Sequence, residues 1–154
     1  MTPKTKTAKI TLLCLIGATL LFIFSQSMLP PETSSSESEA FSEILELVLP
    51  SDTALGSFVH SNIRKIAHFL EYALLGFEVA LYVAIFEKRK IFIAISYPFA
   101  LFTALLDESI QIFSGRGPSV VDVWIDFFGF FTFASLIYLT RFLVFYFNKR
   151  RNET

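Results

Sequence analysis

The stretch NIRKIAHFLEYALLGFEVALYVAIF, residues 62–86, is long and apolar, yet charged and ionisable side chains stand near its start. At about 1.5 Å of rise per residue, a helix of this length exceeds the roughly 30 Å hydrocarbon thickness of a bilayer. Its first turns carry Arg64, Lys65, His68 and Glu71. The stretch therefore predicts a transmembrane helix with a polar group of side chains at one end.

Three further stretches share this length and apolar character: residues 10–29, 91–113 and 120–139, the last extending somewhat beyond. Hydrophobic residues make up 53% of the 154-residue chain and charged residues 18%, which departs from soluble domains toward membrane proteins. None of the stretches alternates as a barrel strand would, and backbone groups in lipid must pair within their own segment. The sequence therefore predicts an all-α integral membrane bundle of four transmembrane helices.

The first stretch also fits a second interpretation. Lys4, Lys6 and Lys9 precede it, and residues 25–27 read SQS, as in a secretory signal with a small-residue cleavage site. The apolar run continues to Leu29 and three more spans follow, which favours a retained helix.

The basic residues predict an N-in/C-in topology. They lie in the N-terminal tail, in the loop Lys88, Arg89 and Lys90, and in the C-terminal tail. Residues 30–61 instead hold six acidic residues and no Lys or Arg, and the loop after the third span has only Arg116. By the positive-inside rule, both termini are cytoplasmic and the first and third loops face outward.

The first outer loop divides in two. PPETSSSESEA, residues 30–40, has the composition of a flexible linker. From Phe41 apolar residues recur at helical spacing, which predicts a short amphipathic helix ending before Pro50, with a capping box from Ser36 and Glu39. The chain then divides into a tail with the first helix (1–29), the outer loop (30–61), a three-helix core (62–147) and a basic tail (148–154).

Three helices bring polar residues to the same predicted leaflet. In the second, Arg64, His68 and Glu71 are spaced by four and three residues and form one stripe. Ionisable groups within a bilayer are costly unless they face the bundle interior and pair, so we expect an outward-facing polar pocket. The remaining members are Asp107, Glu108 and Gln111 at the end of the third helix, Asp122 and Asp126 at the start of the fourth, and Lys65 and Arg116.

Five carboxylates and three cations leave this group with a charge of −2 if His68 is neutral. Protonation, a cationic His68, a bound cation or a positive ligand group would balance it. Purely structural roles are also open: Asp122 and Asp126 suit a helix N-terminus. Gly76 and Gly129 are expected to be close-packing positions between helices.

These motifs, taken in order, resemble the VanZ-like family of small multi-pass bacterial membrane proteins. They are RKxxHFxEYxxLG (64–76), DExxQxFxGR (107–116) and DVxxDxxG (122–129). The family usually has a proline before the Gly-Arg pair, which is missing here. The resemblance implies the bacterial cytoplasmic membrane and a context of tolerance to teicoplanin, a lipid-bearing glycopeptide, but no reaction. By position it adds Tyr72 and Gly115 to the signature residues.

Two functions follow. In the first, the pocket recognises a lipid headgroup or lipid-linked cell-envelope precursor, with Arg64, Lys65 and Arg116 holding phosphate. In the second, an enzyme modifies a lipid-linked substrate, with His68 as general base or metal ligand and Glu71, Asp107 and Glu108 as ion ligands or proton carriers. The absence of a nucleophile elbow, P-loop or zincin motif favours the first. The basic clusters are explained by topology, so no nucleic-acid binding is expected; cofactor, metal and oligomeric state stay open.

Overall fold

The structure, a computed structural model, describes residues 3–87 and 89–152, and within those ranges it consists of helices and the turns that connect them, without strands. Lys88, part of the predicted basic loop, lies outside the described residues, as do positions 1–2 and 153–154 of the two tails. The helices are α1 (Pro3–Ser27), α2 (Pro31–Glu46), α3 (Ala54–Ser61), α4 (Ile63–Phe86), α5 (Ile91–Phe113) and α6 (Val120–Asn152).

Within the described ranges, α1, α4, α5 and α6 are long and apolar enough to cross a membrane. This confirms the predicted all-α bundle of four spans. The bounds of α4 and α5 agree with the prediction to within one residue, whereas α6 continues past Leu139 to Asn152. Large apolar side chains such as Leu21, 74% exposed, cover the outside of these helices and need lipid as their solvent. The chain is therefore a multi-pass membrane protein.

The segment between α1 and α4 differs from the prediction. Residues 31–40 were expected to be a linker, but they form the first part of α2, and Pro31 occupies the first turn, where proline is well tolerated. The predicted capping box is wrong, because Ser36 lies inside the helix and its hydroxyl donates to the Thr33 carbonyl. The helix α3 was not predicted; Thr53 caps it by accepting the Gly56 N–H at 2.9 Å.

His60 on α3 makes polar contacts with α2 and with the residues that follow it. Its Nδ1 lies in hydrogen-bonding contact with the Ser42 hydroxyl, and its Nε2 lies 3.0 Å from the Leu49 carbonyl oxygen and 3.1 Å from Glu46 Oε2. The two short helices therefore form one polar-linked unit over the start of α4.

The helices α4 and α6 approach each other backbone to backbone. A Cβ added at Gly76 would lie 2.4 Å from the carbonyl oxygen of Phe130, and one added at Gly129 would lie 2.3 Å from that of Phe69. Both distances are far below van der Waals contact. The prediction that these glycines are close-packing positions is confirmed.

Polar contacts tie the other end of the bundle. Tyr138 on α6 donates a hydrogen bond to Ser96 on α5 at 3.1 Å. The Arg141 guanidinium donates to the Val83 and Glu87 carbonyls at the C-terminus of α4, each at 3.2 Å. These contacts fix the relative heights of α4, α5 and α6.

We expect Gly76→Ala and Gly129→Ala to lower the thermal stability of the detergent-purified protein. An added methyl would push against backbone that no rotamer change can move, and overpacking of this kind costs about 1–3 kcal/mol. Gly17→Ala on α1 is the matched control, because a Cβ there meets nothing within 4 Å. Equal unfolding temperatures for the three variants would contradict the close α4–α6 contact.

Candidate functional site

The site lies at the end of the bundle where α4 and α6 begin and α1 and α5 end; we call it the site end. The turn after α5 closes with a positive φ of 78° at Gly115. The N–H of Gly115 bonds the Ile112 carbonyl at 3.3 Å, and the N–H of Arg116 bonds the Gln111 carbonyl at 3.0 Å. This pair of bonds is the Schellman arrangement, in which glycine takes the left-handed position. It turns the chain back so that Arg116 enters the site.

Four side chains meet at the centre: Ser27, His68, Asp107 and Asp126, here named the central cluster. His68 Nδ1 lies 3.4 Å from Asp126 Oδ1 and 3.7 Å from Asp107 Oδ2. The Ser27 hydroxyl donates to Asp107 Oδ1 at 2.5 Å. Both aspartates are 0% exposed, and the His68 side chain is 12% exposed. The predicted stripes on α4, α5 and α6 therefore converge, with α1 as a fourth contributor.

A second layer of hydrogen bonds surrounds Gln111. Its amide nitrogen donates to Glu108 Oε1 at 2.8 Å, and its amide oxygen accepts from Arg64 at 3.4 Å. The other oxygen of Glu108 accepts the backbone N–H of Ser119 at 2.6 Å. Ser119 in turn caps α6 by accepting the N–H of Asp122 at 3.2 Å. Glu108 thus holds the start of α6 against the end of α5, a positioning role.

Arg116 is a buried cation in this layer. It is 7% exposed, and its Nη1 donates to the Gln26 carbonyl of α1 at 3.2 Å. Burial lowers the pKa of its guanidinium below the ordinary value, the charge of Arg64 adds to this effect, and nearby carboxylates oppose it. Its Nε has no hydrogen-bond partner among the described residues.

Two adjoining cavities open over the cluster, with volumes of about 720 Å³ and 230 Å³. His68, Arg64 and Arg116 line both cavities. Helix α2 forms the opposite wall and contributes a row of serines. Further lining residues are Ser34, Ser35, Ser38, Ser42, Lys65 and Asp122 in the larger cavity, and Ser34, Ser38, Phe41 and Glu71 in the smaller.

Not every sequence-predicted residue reaches the centre. Lys65 is exposed at the rim, and Glu71 lies on the wall of the smaller cavity. Tyr72 is 0% exposed in the bundle core, with a hydroxyl that has no hydrogen-bond partner among the described residues. The structure does bring together Arg64, His68, Asp107, Glu108, Gln111, Arg116, Asp122 and Asp126.

Sequence reasoning missed the contribution of α1 and α2. The SQS stretch drew attention only as a possible cleavage site, yet Gln26 and Ser27 hold Arg116 and Asp107. A small polar pair at the end of an apolar span, level with the acidic residues of other spans, was the available signal. The serines of α2 were not predicted as site residues, because the composition of residues 30–40 indicated a flexible linker.

Three atoms of the central cluster could share a cation. Among the described residues, one ligand atom each from His68, Asp107 and Asp126 lie within 4.8 Å of one another. Imidazole nitrogen and carboxylate oxygen are common ligands of divalent transition metals.

Ser27→Ala should weaken the docking of α1. The change removes the donor to a buried Asp107 oxygen, and an unsatisfied buried acceptor costs about 1–3 kcal/mol. Ser25→Ala is the control, since the exposed Ser25 hydroxyl only bonds the Phe22 carbonyl of its own helix. Thermal unfolding in detergent should show a loss for Ser27→Ala alone; indistinguishable curves would argue against the Ser27–Asp107 bond.

Comparison with known proteins agrees with these motifs. The VanZ/LLP1 family model matches residues 10–145, a range that includes the whole central cluster and all three signature motifs. No curated protein and no solved structure matches the chain. The resemblance drawn from the RKxxHFxEY, DExxQ and DVxxD motifs is therefore confirmed, and the chain belongs to the VanZ/LLP1 family.

Proposed function

We propose that the chain binds the phosphate-bearing headgroup of a lipid, or of a lipid-linked cell-envelope precursor, in the cavities at the site end. The observation that carries this proposal is a group of three cations around one cavity, within a bundle whose sides are solvated by lipid. Arg64, Lys65 and Arg116 all line the larger cavity of about 720 Å³. That volume is in the range of small-molecule sites.

The two arginines suit a phosphate group. Guanidinium forks bind phosphate oxygens through paired N–H donors, which is geometrically more specific than a lysine point charge. Arg64 is exposed and contacts Gln111 only at 3.4 Å, so its donors are accessible to a ligand. The Arg116 guanidinium donates a hydrogen bond to the Gln26 carbonyl, and Arg116 lines both cavities.

The wall opposite the arginines suits a hydroxyl-rich group. Ser34, Ser38 and Ser42 are spaced by four residues on α2, so their side chains form one row along the cavity. Ser38 already donates to the Ser34 carbonyl and Ser42 contacts His60, so the row offers a ligand mainly hydroxyl acceptors, together with the hydroxyl of Ser34. Phe41, Ile63 and Ala67 line the smaller cavity and offer apolar surface to an acyl chain. A headgroup with phosphate on one side and hydroxyls on the other would match both walls.

The positive-inside pattern supports an outward-facing site in a bacterial cytoplasmic membrane. The family resemblance supplies the physiological context of tolerance to teicoplanin or of envelope homeostasis. A lipid-binding protein in the outer leaflet would act there by sequestering or presenting the lipid that the envelope or the antibiotic engages.

The second candidate is an enzyme that modifies a lipid-linked substrate. It is favoured by one observation: the Nδ1 atom of His68 lies near two buried carboxylates, and His68 lines both cavities. A histidine oriented by carboxylates can act as general base or metal ligand. Glu71, Asp107 and Glu108 would then serve as proton carriers or ion ligands.

Binding of a polyprenyl phosphate in mixed micelles tests the first candidate, with the uncharged polyprenol as reference probe. We expect Arg64→Gln and Arg116→Gln each to weaken binding of the phosphate about tenfold, which corresponds to one lost charge-assisted hydrogen bond. Arg89→Gln removes an exposed cation from the other end of the bundle and should bind as the unmodified protein does. Equal affinity for phosphate and alcohol, or unchanged affinity in both site variants, would refute the proposal.

Mass spectrometry of the same probe after prolonged incubation separates the two candidates. A recovered probe of unchanged mass supports binding alone. A covalent change in the probe that is absent with His68→Ala would show that the protein is an enzyme and would refute a function limited to binding.

The orientation has its own test. In a Cys14→Ser background, we expect Ser35→Cys on α2 to react with a membrane-impermeant maleimide added to intact cells. Arg150→Cys near the end of α6 should react only after permeabilisation. The opposite labelling pattern would place the site on the cytoplasmic side and exclude an outer-leaflet ligand.

A further inference from the structure

Asp126 carries a buried carboxylate that lacks hydrogen bonds. The residue is 0% exposed, and neither Oδ1 nor Oδ2 has a hydrogen-bond partner among the described residues. His68 Nδ1 lies 3.4 Å from Oδ1, which is longer than the usual N–H···O range of about 2.7–3.2 Å. A buried carboxylate without hydrogen bonds is costly even beside the His68 ring, so an additional cation would stabilise it.

The spacing around His68 fits a shared ion better than direct hydrogen bonds. Its Nδ1 lies 3.4 Å from Asp126 Oδ1 and 3.7 Å from Asp107 Oδ2. Two ligands that each lie about 2.0–2.2 Å from a tetrahedral ion are about 3.3–3.6 Å apart. All three ligand atoms lie within 4.8 Å of one another, and the terminal torsion of a carboxylate is soft enough to adjust.

The surroundings of Asp107 also resemble those of a ligand. Its Oδ1 accepts the Ser27 hydroxyl at 2.5 Å, which leaves Oδ2 directed to His68, and the Gln111 amide lies 3.5 Å from that oxygen. Such outer contacts fix the orientation of metal ligands. Two carboxylates and a neutral imidazole carry a charge of −2, which one divalent ion would balance.

We propose that His68, Asp107 and Asp126 bind one divalent transition-metal cation at the floor of the larger cavity. Three protein ligands leave a coordination position open, and of the three residues His68 lines both cavities, so a ligand in either cavity would approach the ion beside the imidazole. A phosphate oxygen of the bound headgroup can take it, with Arg64 and Arg116 holding the other oxygens. This last step rests on the proposed function; the cation site does not.

The experiment uses the full-length protein in detergent, stripped with EDTA and dialysed, then titrated with Zn²⁺ or Mn²⁺ by calorimetry. We expect one equivalent per chain, and at least about hundredfold weaker binding in Asp126→Asn and His68→Ala, since each loses a direct ligand. Asp52→Asn makes the same chemical change in the loop between α2 and α3, outside both cavities, and should bind as the unmodified protein does. Absence of stoichiometric binding, or equal binding in all variants, overturns the proposal.

Thermal unfolding guards against variants that fold poorly. Without metal, Asp126→Asn should be at least as stable as the unmodified protein, because it removes a buried charge that makes no hydrogen bond among the described residues. With metal, only the unmodified protein and Asp52→Asn should gain stability, by an amount that rises with the logarithm of the metal concentration. A metal-induced gain of equal size in Asp126→Asn would place the ion elsewhere.

A final arm separates this proposal from the proposed function. If the cation bridges to phosphate, EDTA should weaken polyprenyl phosphate binding in the unmodified protein but not in Asp126→Asn. Phosphate binding that is indifferent to EDTA yet lost in Arg64→Gln overturns the bridge and supports the binding function. Stoichiometric cation binding without any phosphate binding overturns the function and supports the cation site.

Discussion

The close approach of α4 and α6 at Gly76 and Gly129 sets the distance between these two helices at the site end. Gly129 lies against the backbone of Phe69 and Ala73, and Asp126 precedes it by less than one helical turn. The same contact therefore brings Asp126 within 3.4 Å of His68. A wider interhelical spacing would separate the two side chains and admit water or lipid between them. The charged site is in this sense a product of backbone packing, not of charge attraction, which would have to overcome the desolvation of both groups.

The remaining helices complete the site in different ways. Helix α5 supplies acids and fixes them through Gln111 and the Ser119 N–H, so its carboxylates are held in a hydrogen-bonded frame. Helix α1 adds a hydroxyl and a carbonyl, and α2 adds a serine row across the cavities. The cations come from the start of α4 and from the turn after α5. A polar site inside lipid thus draws on nearly every helix, because each buried polar group needs a partner from another helix.

Much of this follows from the sequence because lipid imposes simple rules. Apolar length fixed the spans, and helical spacing placed Arg64, His68 and Glu71 in one stripe. Other features depend on partners that no local pattern names. Ser27 became a site residue only through an Asp107 eighty positions away. Residues 31–40 have a linker composition, yet they are helical in the folded chain, where α2 lies over the start of α4. Tyr72 belongs to the same motif as Glu71 but is buried in the bundle core, because adjacent residues of a helix face different directions.

Helix α1 combines a functional contact with weak attachment. Only 6% of the apolar stretch of α1 is buried, against 28–39% for α4, α5 and α6. Its end nevertheless contributes Gln26 and Ser27 to the site. Most of its length therefore already faces hydrocarbon, and shifting it sideways exchanges one apolar surface for another. Gln26 of α1 lines the smaller cavity together with Arg64 and Arg116, so the headgroup of a long-tailed ligand could enter beside α1 while its tail stays among the lipids.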